Sequence, residues 1–202
     1  MTATETDIVA LDRIAVQEAT RLVDLAQDKD WERDSPCAGW SLRRLVAHMT
    51  AQHHGFAAAA RGAGQEPAHW HEAEDLSEPA GPHREAAASV LDAFAEPGVT
   101  EREFALPELG GNYPGRMAVG FHFIDYVIHA WDVAATLGVD VQLPDPVLEA
   151  AVAVARLVPQ DADYRKPGSP FAPALDVPEG AGPLQEALLL LGRAPEQWSG
   201  RV

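Results

Sequence analysis

The chain has 202 residues, 47% hydrophobic and 23% charged, enough for one packed core and unlike a disordered or fibrous sequence. Fifteen Lys+Arg against 31 Asp+Glu leave a net charge of −16. That field repels phosphate backbones and anionic membrane surfaces and argues against both as partners, and no run approaches the ~20 apolar residues of a membrane span.

Proline sets the punctuation along the chain. Met1–Ser35, Cys37–Glu66 and Gly115–Leu143 are free of it, and seven of the sixteen prolines follow Val158. Because proline breaks helix interiors, long helices belong early and irregular structure late. Met1–Asp7 shows no basic region followed by an apolar run, so no signal segment is expected. A first helix is expected from Thr6 to Gln27, where Ile8, Leu11, Ala15, Leu22 and Leu25 fall near helical spacing. A connector follows. It contains Cys37, the only cysteine, which excludes an intramolecular disulfide and a cysteine-built zinc site and suits a reducing, cytoplasmic location. Ser41 is placed to cap a second helix, Leu42 to Arg61, with Trp40 packing outside it.

Gly62–Pro82 reads as a loop and Glu85–Ala95 as a third helix between Pro82 and Pro97. Eleven acids lie between Gly64 and Gly110, against only Arg84 and Arg102. Val99–Leu109 reads as extended or irregular chain. A fourth helix is expected over Arg116–Leu137, ended by Gly138. Pro146–Leu157 and Leu184–Leu191 are the fifth and sixth, the last inside a Pro/Gly-rich tail. The expected fold is mainly α: a four-helix bundle over residues 1–138, with a helical and Pro/Gly-rich extension, 139–202, packed on it.

The fourth helix carries the chemistry. It is apolar on nearly every face, so it belongs at the centre of the bundle. Yet His122, Asp125, His129 and Asp132, at i, i+3, i+7 and i+10, draw a polar stripe along one side. Buried groups of this kind need a metal, a ligand or one another as partners. Asp125 and His129 can point at one divalent ion, and a carboxylate with an imidazole suits zinc. His48, three residues after Leu45, flanks the core-facing stripe of the second helix and would make a third ligand. A plain hydrogen-bonded Asp125–His129 pair stands beside that metal reading. His122, Asp132 and Gln52 are candidates to support the ligands or face substrate. His53 and His54 lie about 140° and 240° around the helix from His48, at ~100° per residue, and are read as packing or surface residues. His69-Trp70-His71 reads as a solvated loop, and Cys37 as a small buried residue.

These residues also carry a resemblance. Ser35-Pro-Cys-Ala-Gly-Trp-Ser-Leu-Arg-Arg-Leu-Val-Ala-His-Met49 and Asp125-Tyr-Val-Ile-His-Ala-Trp-Asp-Val-Ala134 resemble two motifs of the DinB-like metal-binding bundles. The similarity is greatest to the branch containing mycothiol-dependent maleylpyruvate isomerases. It implies His48, Asp125 and His129 as metal ligands and mycothiol, a small sugar thiol, as cosubstrate. The chain departs from the isomerases proper in carrying Asp125 where they have glutamate, and in the short stretch after Gly138. The expected function is that of a divalent-metal-dependent transferase or isomerase, which activates a small thiol against a small electrophile. A hydrolase using metal-bound water and a non-enzymatic metal- or ligand-binding protein are the alternatives.

Overall fold

The computed structural model describes residues 7–37, 39–73, 77–166 and 169–198. Helix α1 spans Ile8–Val23, with the Asp7 carboxylate accepting from the backbone N–H groups of Val9 and Ala10. It stops short of Gln27, and its expected start at Thr6 lies outside the described residues. Helix α2 is Leu42–Ala60, and the Ser41 hydroxyl oxygen accepts from Arg44 N at 3.4 Å. Helix α3, Ala80–Phe94, begins five residues earlier than Glu85. Pro82 sits inside its first turn, where its missing N–H has no intrahelical partner to lose.

Within Val99–Leu109, expected to be extended or irregular, Val99–Glu101 and Pro107–Leu109 are 3-10 turns and Glu103–Leu106 is extended, the first strand of a β-hairpin that runs on to Pro114. Strand β1, Glu103–Leu106, pairs antiparallel with β2, Gly111–Pro114, in the register Glu103 with Pro114 and Leu106 with Gly111. The chain passes straight into α4, Gly115–Leu137, which Gly138 ends at φ 71°. Helices α5, Asp145–Ala155, and α6, Pro183–Leu190, follow.

The fold is mainly α. Helices α1 and α4 pack along each other, as do α2 and α3, while α1–α3 and α2–α4 contacts close the four into a bundle. Its interior is filled by Leu22, Leu42, Leu45, Met49, Phe94, Phe123 and Tyr126, all shielded from solvent. Burying each such side chain contributes roughly 1.5–3 kcal/mol. Helix α4 is buried on most sides, as its composition requires. Outside the bundle α5 lies on α4, and α6 lies on α5. No helix among the described residues is long and apolar enough to cross a membrane.

Candidate metal centre

One end of the α2–α4 interface gathers the polar side chains. On α4, Asp125 and His129 are one turn apart, and His129 Nε2 lies 3.3 Å from Asp125 Oδ1. From α2, His48 brings its ring edge-on to His129, 5.6 Å between centroids. One donor atom from each of His48, Asp125 and His129 lies within 4.8 Å of the others. The His48 and Asp125 side chains keep 21% and 23% of their surface, but His129 only 5%. The cluster is therefore closed behind His129 and open on the side of His48 and Asp125.

Each imidazole is held from behind by a carboxylate. His48 Nδ1 is 2.9 Å from Glu72 Oε1, and His129 Nδ1 is 3.0 Å from Asp132 Oδ2. When these Nδ1 atoms carry the proton, both Nε2 lone pairs remain for the cluster. The hydrogen bond from His48, ahead of the opposing effect of burial, holds Glu72 below the usual carboxylate range. Burial pulls the His129 imidazole down. The Asp125 charge and the Asp132 hydrogen bond outweigh it, so His129 is held above its ordinary value. Two imidazoles and one carboxylate, with an open side, are a donor set suited to zinc and its neighbours.

Asp132 has further partners. Arg193 grips it twice, Nε to Oδ1 and Nη2 to Oδ2, both at 2.9 Å. Burial raises the Asp132 carboxyl, but the Arg193 charge and the His129 hydrogen bond overcome this and hold it far below the usual range. Cys37 Sγ lies 3.3 Å from Asp132 Oδ2 and 3.0 Å from Arg193 Nη2. With His129 and Asp132 it forms a second group whose donor atoms fall within 4.8 Å of one another. Burial, then the Asp132 charge, push the Cys37 thiol well up, which favours the protonated S–H at neutral pH.

His122 is not at this cluster. It sits deeper along α4, fully buried, with Nδ1 2.7 Å from Asp12 Oδ1 and Nε2 3.1 Å from His53 Nδ1. His53 is buried too, stacked on Tyr126 at 4.1 Å and 5.1 Å from the His83 ring. Among the described residues, Asp12 Oδ2, His53 Nε2 and His83 Nε2 have no hydrogen-bond partner. Gln52, one turn beyond His48, donates to Glu108 at 2.9 Å, and His54 faces solvent.

Glu72, Arg193 and the Asp132–Cys37 contact were not singled out by sequence. Glu72 is carried by the 67–73 segment, pinned where the Trp70 indole lies over Gly55 and donates to Gly64 O at 2.8 Å. A Cβ on Gly55 would fall 2.2 Å from the indole, so only glycine allows that approach. His69 and His71, on either side, make no part of the cluster. Trp40 packs against His48 at 5.0 Å, and the Arg44 guanidinium lies 4.6 Å over its ring.

Comparison with known proteins bears on the fold and the family. Two Mycobacterium tuberculosis proteins, "Uncharacterized protein Rv0738" of strain H37Rv and "Uncharacterized protein MT0763" of strain CDC 1551, are each 32% identical over 167 residues. The alignment covers 79% of this chain and 82% of theirs. The solved structure of the mycothiol-dependent maleylpyruvate isomerase shares the fold, with a TM-score of 0.59 at 16% identity over 73% of this chain and 68% of that one. A histidine-to-alanine mutant of that enzyme superposes with the same TM-score at 15% identity. Residues 13–134, from α1 to near the end of α4, match the mycothiol maleylpyruvate isomerase N-terminal domain, and the chain belongs to that family.

Proposed function

We propose that this protein is a divalent-metal-dependent enzyme that activates a small thiol of the mycothiol class. The thiolate, its proton lost to solvent, would form a C–S bond with a small electrophile, either displacing a leaving group and remaining attached, or adding across a double bond and being expelled again once the bond has isomerised. The observation that carries the reading is the meeting of His48, Asp125 and His129, with each imidazole Nδ1 occupied by a carboxylate. The mycothiol-dependent activity of the structural neighbour supplies the thiol class.

His48, Asp125 and His129 would hold the ion. When bound, it supplies Lewis acidity that favours the thiolate below the free-thiol pKa of about 8.5. The rest is the work of this chain's own groups. Asp132 and Glu72 keep the Nδ1 protons in place and orient the two rings. The donor set carries one formal negative charge, from Asp125, so a dication there keeps a positive excess toward an anionic thiolate. Trp40 walls the His48 side, and the open face beside His48 and Asp125 admits thiol and electrophile. Cys37 is partly buried, and burial and the Asp132 charge hold its thiol protonated, so it does not compete as a nucleophile. Small reactants, a reducing cytoplasmic setting, and neither nucleic acid nor membrane fit the −16 charge and the single cysteine.

The test is turnover of maleylpyruvate and related small electrophiles, with and without mycothiol and with and without a chelator. The reading expects activity only when metal and thiol are both present. Full turnover without any thiol would replace it with metal-dependent hydrolysis, and full turnover in metal-stripped protein would overturn it.

A further inference from the structure

Helix α6 ends in a way that aims one side chain at the candidate metal centre. After Leu190 the chain turns at Gly192, φ 77°. Arg193 N donates to Leu188 O at 2.8 Å and Gly192 N to Leu189 O at 3.1 Å, the paired bonds of a Schellman turn. A Cβ at Gly192 would lie 2.6 Å from Ala172 Cβ, so both the left-handed backbone and the close approach demand glycine. The turn sends the Arg193 side chain inward until only 8% of the residue is exposed. There it makes a two-pronged bond to Asp132, whose Oδ2 faces His129 Nδ1.

We propose that Arg193 is a positioning residue for the metal site: through Asp132 it fixes His129 with its proton on Nδ1 and its Nε2 lone pair facing His48 and Asp125. The inference rests on the metal reading above for its consequence, but the tautomer it assigns is a property of the metal-free protein. Arg193, Asp132 and His129 form a relay of fixed geometry. A lone buried carboxylate would be driven to protonate or to turn toward solvent. The guanidinium fork neutralises it and clamps both oxygens in one plane. A carboxylate so held can only accept from His129 Nδ1, which leaves Nε2 unprotonated once the ring is neutral.

Arg193 lies beyond residues 13–134, so the family match does not reach it. It also stands within 3.0 Å of Cys37 Sγ, where its positive charge faces the second donor group of Cys37, His129 and Asp132. An ion placed there would meet a resident cation, which steers metal to the Nε2 side of His129.

Two readouts test this. The first is the ring-nitrogen NMR signature of His129 in metal-free protein at alkaline pH. The second is zinc affinity by chelator competition. Wild type should show an Nδ1-protonated His129. Asp132→Asn and Arg193→Met should shift population toward the Nε2-protonated form and weaken zinc about 10–100-fold. Arg193→Lys keeps the charge without the fork and should recover part of both. Circular dichroism of each metal-free variant establishes that it is folded, and Asp132→Asn, matched in shape, decides the case if Arg193→Met does not fold. Folded variants with wild-type His129 signature and wild-type zinc affinity would overturn the inference. His48→Ala separates the two claims. If it binds zinc like wild type, the metal reading fails, while the NMR signature still decides the role of Arg193.

Discussion

At the scale of single residues, the centre depends on which atom each side chain offers. Asp125 is the ligand candidate with the shortest arm, on the same helix as His129. Asp125→Glu keeps the charge and lengthens the reach, so part of the zinc affinity should survive. Asp125→Asn removes the charge and should weaken zinc more than Asp125→Glu does; the reverse order in a chelator competition would show that the Asp125 charge is not used in binding. The buried pair His53 and His83 makes a different prediction. Burial drives His53 well below its ordinary value and His83 down to about 4. An unfolded histidine titrates near 6.5. Between those values the unfolded chain binds protons that the folded one refuses, so stability falls as pH drops from about 6.5 to about 4. His83 alone accounts for about 3 kcal/mol across that window. Melting curves of His83→Gln should fall less steeply with acid than wild type, and parallel curves would remove His83 from the account.

Elements position those residues, and the sequence revealed them unevenly. The bounds of α2 and α4 were legible because Ser41 and Gly138 carry the chemistry of a start and a stop. The polar stripe of α4 was legible from spacing, but not the division of its members. His122 and Asp132 look equivalent in sequence, yet Asp12 on α1 and Arg193 after α6 draw them into separate networks. Arg193 and Glu72 reach the centre across long separations that no local pattern encodes. The start of α3 was missed because Pro82 reads as a breaker while sitting harmlessly in a first turn. The hairpin Glu103–Pro114 was missed because each strand has only four residues. The 67–73 segment can be tested through its anchor. Gly55→Ala forces the Trp70 ring away and should cost roughly 1–3 kcal/mol by overpacking. Tryptophan fluorescence should shift, and zinc affinity should drop modestly as Glu72 loses its hold on His48. Unchanged melting and fluorescence would mean that Trp70 does not anchor the segment.

The whole molecule brings these parts into one design. A bundle closed by α1–α4 holds His48 on one helix and Asp125 and His129 on another, while the chain after Gly138 returns to grip Asp132 behind the His129 imidazole. The chain shares the fold and the family of the mycothiol maleylpyruvate isomerase N-terminal domain, and His48 and Asp125 leave one side of the centre partly exposed. The most direct measurement is the zinc content of purified, zinc-reconstituted protein after gel filtration, comparing wild type with His48→Ala, Asp125→Ala, His129→Ala and the solvent-facing control His54→Ala. The account predicts about one equivalent per chain in wild type and His54→Ala, and strong loss in the other three. Equal zinc in all five proteins, or none in wild type, would contradict it.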